Sequence, residues 1–294
     1  MDYVMSSIQG SADMDEAAPL LSVKDLRVRF GKGPHGVDAV RGVSFDIGRE
    51  KVAIVGESGS GKSTVGRAIL KLHPAFAQVS AKELRFKGQD LLAAGEAQMR
   101  RIRGRNISMI LQDPKFSLNP VMRVGQQIAE TLRIHQRIGG RQAKQQALEM
   151  LKAVRIRDPE RVYDLYPHQV SGGMGQRIMI AMMLVSKPDL VIADEPTSAL
   201  DVTVRLQVLA ILDDLVRSRG VGLIFISHDL NLVRSFCDRV LVMYSGVIVE
   251  SLKASEFDEA KHPYTKGLLG ALPRLDMRRH RLPVLERDPL WAIG

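Results

Sequence analysis

Gly56-Glu57-Ser58-Gly59-Ser60-Gly61-Lys62-Ser63 fits the pattern G-x-x-x-x-G-K-[ST] in full, with Thr64 directly behind it. Glycines at those places let backbone N–H groups curl around phosphate oxygens, and a lysine there reaches the outer phosphates of a nucleotide. The next hydroxyl, Ser63, has the chemistry of a Mg²⁺ ligand. Far downstream the apolar run Leu190-Val191-Ile192-Ala193 ends in Asp194-Glu195. A strand with that ending brings two carboxylates to one edge of a sheet. Asp194 would hold the Mg²⁺ shell there, and Glu195 would accept a proton from attacking water. An acidic pair after an apolar run says little alone. Behind a phosphate loop it points to cleavage of a phosphate bond.

The elements that must position these groups are legible in outline. Residues 51–55 form a short apolar strand and a helix pattern runs from the glycines to Leu72, which is the context the loop requires. Before it, Leu26, Val28 and Phe30 alternate within 21–30, as do Val43, Phe45 and Ile47 within 40–47. Both predict strands with one buried face, joined by the turn-rich stretch 31–36. Residues 113–170 read as helical and polar. Val124, Ile128 and Leu132 form one stripe, and Ala147, Leu148 and Leu151 another, which predicts a helical subdomain inserted into a sheet domain. Strand and helix then alternate again: a strand over 190–193, a helix over 202–218, a strand over 221–226. Apolar runs separated by helices predict a parallel sheet covered on both faces. Residues 240–244 and 247–250 flank Ser245-Gly246 as a hairpin.

Composition bounds the rest. The chain has 294 residues, 45% hydrophobic and 26% charged, which suits a globular core and excludes a fibrous or disordered chain. Its longest apolar run, 178–185, is far short of the roughly 18 to 20 residues of a membrane span. The single cysteine, Cys237, excludes an internal disulfide and any Cys-built metal site within the chain. It predicts a reduced compartment and a small buried side chain. Asp2, Asp13, Asp15 and Glu16, with no Lys or Arg among them, are the wrong chemistry for a signal or transit peptide, so residues 1–19 read as a mobile acidic tail of a cytoplasmic protein. The net charge of +9 invites a nucleic-acid reading. The clusters Arg100-Arg101-Arg103-Arg105 and Arg274-Arg278-Arg279-Arg281 lack interleaved aromatics, however, and read more simply as solvated faces or surfaces for anionic ligand or lipid.

Val170-Ser171-Gly172-Gly173-Met174-Gly175-Gln176-Arg177 sets a hydroxyl and glycine amides at the start of a helix, which is a second anion site. With the phosphate loop and the acidic pair, it resembles the signature of the nucleotide-binding subunit of ABC transporters. The resemblance covers 21 to about 273. It implies an α/β fold: a P-loop NTPase core with an N-terminal antiparallel β subdomain and an inserted helical subdomain. The ATPase domain would then span 20–272, with the helical insertion at about 113–170 and a basic C-terminal extension over 273–294.

The same resemblance implies ATP and Mg²⁺ as cofactors, and a dimer that sandwiches two ATP molecules head to tail. Ser171, Gly172, Gly173 and Met174 would face the nucleotide of the opposite chain. Gln112 is similar to the family's glutamine that senses Mg²⁺ and water. Ser198-Ala199-Leu200-Asp201 resembles the loop that crosses the dimer interface. His228, 33 residues after Glu195, resembles the histidine that contacts the γ-phosphate. Phe30 is expected to stack on adenine. The catalytic set is thus Glu195, His228 and Gln112, and the metal set Ser63, Gln112 and Asp194. Val170 and Gly175 depart from the commoner Leu and Arg, and a glycine in the first turn of a helix costs about 1 kcal/mol relative to alanine.

Several stretches look like the peptide, opine and nickel importer branch: the loop wording itself, Gln112-Asp113-Pro114, Ser117-Leu118-Asn119-Pro120, Ser171-Gly172-Gly173-Met174, and Lys261-His262-Pro263-Tyr264-Thr265 before Leu268-Leu269. The C-terminal cysteines that hold an iron–sulfur cluster in many branch members are missing, so no cluster is expected. The implied function is ATP hydrolysis coupled to import of peptides or a related solute. The implied partners are a second ABC ATPase chain in a heterodimer, transmembrane permease subunits seated near Gln112 and the helical subdomain, and indirectly a substrate-binding protein. No nucleic-acid partner is expected. The implied location is peripheral, on the cytoplasmic face of the inner membrane. The alternative, a soluble ABC-type ATPase acting on nucleic acid or ribosomes, usually carries tandem cores, a long coiled coil or zinc cysteines. Here there is one phosphate loop, one signature and one cysteine.

Overall fold

The structure is a computed structural model describing residues 18–114, 117–198, 200–272 and 288–292. The acidic tail as far as residue 17, Ala199 and most of the basic extension lie outside the described residues.

Two sheets carry the fold. In the first, β1 (Leu21–Phe30) pairs antiparallel with β2 (Val37–Ile47), β4 (Ala77–Ser80) and β5 (Glu83–Phe86), and β5 continues onto β6 (Gln89–Asp90). The second runs β11 (Val247–Lys253), β10 (Arg239–Tyr244), β3 (Lys51–Val55), β9 (Gly222–Ile226), β8 (Leu190–Asp194), β7 (Ile107–Ile110). All its neighbours are parallel except β10 and β11, the hairpin expected around Ser245-Gly246.

The parallel strands are buried on both faces, and the faces feed different cores. Val52, Ile54, Leu190, Ile192, Ile224, Ile226, Leu241 and Met243 join the core under the antiparallel sheet. The residues between them, Ala53, Val55, Val191, Ala193, Leu223, Phe225, Val240 and Val242, join the core under the helices. Side chains alternate across a strand, so an unbroken apolar run is what such a shared wall requires. Phe225 is fully buried with Phe236 tilted against it at 5.0 Å, and burying one such ring contributes roughly 1.5–3 kcal/mol.

Nine α-helices are described. The first two are α1 (Lys62–Ile69) and α2 (Glu96–Ile102). Next come α3 (Val124–Gln136), α4 (Gly140–Ala153), α5 (Pro159–Tyr163) and α6 (Gly172–Leu184), which pack on one another. The last three are α7 (Val202–Arg219), α8 (Leu230–Phe236) and α9 (Pro263–Gly270). Val124, Ile128 and Leu132 are fully buried on α3, as are Ala147 and Leu151 on α4, whereas Leu148 is only half-buried. Helix α1 stops at Ile69 rather than Leu72, because Lys71 takes a left-handed φ of 50° and Leu72 turns outward. Strand β2 begins at Val37 rather than Val40, its first residues pairing with Phe30 and Arg29 while their side chains stay exposed or half-exposed.

Parallel strands put their carboxyl ends on one edge, and four of them release there the loops that carry the expected site residues. The phosphate loop follows β3, Gln112 follows β7, Glu195 follows β8 and His228 follows β9. No helix among the described residues is long and apolar enough to cross a membrane. Cys237 is buried beneath this framework as a free thiol, and burial pushes its pKa up to about 12.

Candidate active site

The glycines of the phosphate loop are dictated by backbone neighbours. Gly56 has φ 149°, and a Cβ there would lie 2.0 Å from the Met243 carbonyl oxygen; a Cβ on Gly61, at φ 99°, would lie 2.3 Å from that of Ala39. Such approaches admit only glycine. The loop thus wraps Lys62, which is 6% exposed. The Lys62 ammonium donates to the carbonyls of Gly56 (2.8 Å) and Glu57 (2.7 Å), with the Ser60 hydroxyl at 3.4 Å. Burial lowers the Lys62 pKa, and Glu195, Asp194 and Glu57 oppose that shift. Gly61 caps α1, so the N–H groups of Lys62, Ser63 and Thr64 stand at a helix start, where the macrodipole favours an anion.

Beside the loop, the Ser63 hydroxyl donates to Asp194 Oδ1 at 2.7 Å. Asp194 is 5% exposed, and burial raises its pKa against the lowering effects of Ser63, Arg67 and Lys62. Glu195 has both carboxylate oxygens engaged: Oε1 lies 3.0 Å from His228 Nδ1, and Oε2 accepts from Gln112 Nε2 at 3.3 Å. Its backbone sits at φ 47°, a left-handed conformation that costs a non-glycine residue about 1 kcal/mol. Three bonds hold it there: Glu195 N–H to the Ile226 carbonyl (3.0 Å), and Ser198 N–H and hydroxyl to the Glu195 carbonyl (3.3 and 3.2 Å). Local strain of this kind gathers where a side chain must be aimed. The three residues expected to be catalytic therefore meet, with the acid between its two neighbours.

The signature residues stand apart. Ser171 caps α6 by accepting from Met174 N–H at 3.3 Å, and Ser171 and Gly172 are exposed. Ser171 and Met174 line a cavity of about 550 Å³, together with Arg155, Arg157, Arg161 and Arg177. The phosphate loop opens into a different, smaller one of about 200 Å³, lined by Glu57, Ser58, Gly59, Ser60, Tyr244 and Ser245. Asp201 caps α7 through Val204 N–H at 3.0 Å, and Val204 packs onto Gly173, where a Cβ would meet it at 2.7 Å. Phe30 is half-buried, edge-on to His73 (5.5 Å) and Phe76 (6.4 Å). His73 Nε2 lies 3.0 Å from the Thr64 carbonyl oxygen, so this aromatic group borders the start of α1.

Two contacts of the site were not anticipated from sequence. Gln176, 1% exposed, donates to the Pro196 carbonyl and so ties the signature helix to the turn after Glu195. Tyr264 accepts from Glu57 N–H at 3.0 Å. Both residues stand in motifs quoted above, yet a glutamine inside a helix motif and a tyrosine at a helix start carry no local sign of what they reach across the fold.

At Gly175 a Cβ would meet only Pro114, at 3.7 Å, an ordinary contact. Gly175→Ala is therefore expected to stabilise the chain by up to about 1 kcal/mol, seen as a higher denaturation midpoint. A loss of stability would mean that α6 needs the glycine for closer approach than the Pro114 distance indicates.

A glycine loop wrapped around a buried lysine at a helix start, with Glu195 engaged by His228 and Gln112 at the same edge of a parallel sheet, defines the class: a phosphate-loop nucleoside triphosphatase. Residues 40–198 match the ABC transporter family, and the chain belongs to it. It is 46% identical over 273 residues to the dipeptide transport ATP-binding protein of Bacillus subtilis, covering 92% of this chain and 82% of that one. It is 48% identical over 260 residues to the oligopeptide transport ATP-binding protein of the same organism, covering 87% and 73%. A solved ATP-binding cassette, dimeric in a post-hydrolysis state with ADP and phosphate, superposes with a TM-score of 0.71 at 27% identity, over 80% of this chain and 98% of that one.

Proposed function

We propose that this chain is the ATP-hydrolysing subunit of an ABC importer for peptides, working at the cytoplasmic face of the membrane as half of a heterodimer with a second ABC ATPase. The observation that carries the hydrolytic reading is the Glu195 carboxylate, fixed by His228 and Gln112 beside a preformed phosphate loop. The peptide reading is supported by relatives named for dipeptide and oligopeptide transport.

In this reading Lys62 and the loop amides hold the β- and γ-phosphates. Glu195 takes the proton of the attacking water, which His228 and Gln112 help to orient. Phe30 stacks on the base. The Ser63 hydroxyl and the Asp194 carboxylate are hard oxygen donors 2.7 Å apart, which fits Mg²⁺ bound mainly through substrate phosphates. A cation there would offset the charge that burial disfavours on Asp194. When bound, Mg²⁺ neutralises charge on the transferring phosphoryl group. Ser171, Gly172, Gly173 and Met174 serve the partner chain's nucleotide, in keeping with a cavity separate from this chain's own loop. The permease contacts the segment 113–140, where Val121 (80% exposed) and Ile134 (66%) offer apolar surface.

Mg²⁺-dependent hydrolysis by the purified chain tests this. The expected result is nucleotide binding with little turnover alone, and turnover on adding a second ATPase chain and the permease, lost again with a chelator. Turnover by the lone chain rising faster than linearly with its concentration would replace the heterodimer by a homodimer. Failure to bind Mg²⁺–ATP at all would overturn the whole reading.

A further inference from the structure

We propose that Tyr264 is a positioning residue for the phosphate loop, its phenol gripping the loop from outside through the Glu57 N–H. This rests on the reading of that loop as a nucleotide site. Tyr264 is fully buried, and Glu57 N–H donates to its oxygen at 3.0 Å. That N–H belongs to the same peptide unit as the Gly56 carbonyl, which accepts from Lys62 at 2.8 Å. One peptide plane is thus held at both ends, by the lysine inside the loop and the tyrosine outside it. The Glu57 carbonyl is held too, by Lys62 (2.7 Å) and Ser60 N–H (3.2 Å). Once Lys62 also serves phosphate, the tyrosine is the grip that the ligand does not compete for.

The tyrosine is itself well anchored. Glu250 on β11 accepts from the N–H groups of Lys261 (2.6 Å) and His262 (3.2 Å), which docks the start of α9. Burial pushes the Glu250 carboxyl up, but the two N–H groups of Lys261 and His262 act against it and favour the charged form. His262 then caps α9 through Nδ1, with Pro263 at the first helical position. The Tyr264 ring packs against Tyr244 (4.5 Å) and Trp291 (6.1 Å). A C-terminal element docked on β11 through Glu250 therefore sets the orientation of a peptide in the phosphate loop.

Tyr264→Phe removes the hydroxyl and keeps the ring. Titration of the full chain with fluorescent ATP and ADP analogues is expected to show both affinities reduced by the same factor, roughly 3- to 10-fold, because the grip acts on the cradle and not on γ-phosphate contacts. The Glu57 amide of the ¹⁵N-labelled chain should shift upfield and exchange faster with solvent. Trp291→Leu disturbs the ring packing but leaves the hydroxyl, and is expected to lower thermal stability with affinities within about twofold of the parent. Unchanged affinity in Tyr264→Phe overturns the proposal, as does an equal loss in Trp291→Leu. Absence of binding by the unaltered chain would overturn the nucleotide reading instead.

Discussion

Glu195→Gln is expected to reduce ATP turnover roughly 10²- to 10⁴-fold while leaving nucleotide affinity within about threefold of the parent chain. Glutamine matches the shape of glutamate and can still bond to His228 and Gln112, which lie 3.0 and 3.3 Å from the two carboxylate oxygens. The left-handed backbone at φ 47° is held by backbone and Ser198 bonds that the substitution does not touch. The groups that would grip phosphate, Lys62 and Ser63, belong to another loop. What is lost is the ability to accept a proton. Phosphate release at saturating Mg²⁺–ATP, in whichever assembly turns over, measures the first effect, and a fluorescent nucleotide titration the second. A rate within threefold of the parent would remove Glu195 from the role of base. A parallel collapse of binding would make it a structural prop of the cradle.

The second large effect is a single methyl group. Gly56→Ala is expected to destabilise the fold by roughly 2–5 kcal/mol, the sum of an overpacked contact and a strained backbone, and to abolish measurable nucleotide binding. The added Cβ would lie 2.0 Å from the Met243 carbonyl oxygen, and neither partner is a flexible side chain that could swing aside. Either β10 shifts or the loop opens, and both displace the carbonyls that hold Lys62. Gly59→Ala is the comparison within the same loop. Gly59 also has a left-handed φ, 82°, but a Cβ there meets nothing within 4 Å, so only backbone strain of about 1 kcal/mol is expected. Denaturant midpoints of the two variants separate the steric effect from the conformational one. Equal destabilisation would mean that Met243 yields easily and that the close approach does not dictate the glycine.

Much of this was legible in the residues because each signal was local or repeated. The strand–loop–helix around Lys62 combines an apolar run with fixed glycines, and the continuous runs of β8 and β9 have few explanations other than a sheet covered on both faces. Residues 73–110 carry no legible secondary-structure pattern. Strands β4 and β6 are short and mostly exposed, and β7 is four residues long, so alternation had no room to appear. The convergence of Gln112 and His228 on Glu195 came from the family resemblance, since no spacing along the chain encodes a meeting of loops from three strands. The role of Tyr264 is not legible for the same reason: its partner lies 207 positions away. Phe30 stands out by its position, but the rings of His73 and Phe76 beside it follow no pattern in the sequence.

The two-sided wall of β3, β8 and β9 has a consequence for how errors propagate. Because consecutive residues serve opposite cores, a one-residue insertion in β9 would send Phe225 to the face that Ile224 and Ile226 now fill, and would turn the chain leading to His228 by half a revolution. Miswound intermediates thus mismatch both cores and misaim the histidine together. The packing of both cores and the aim of His228 at Glu195 are therefore set by one alignment, and a chain that has slipped in that strand loses the two together.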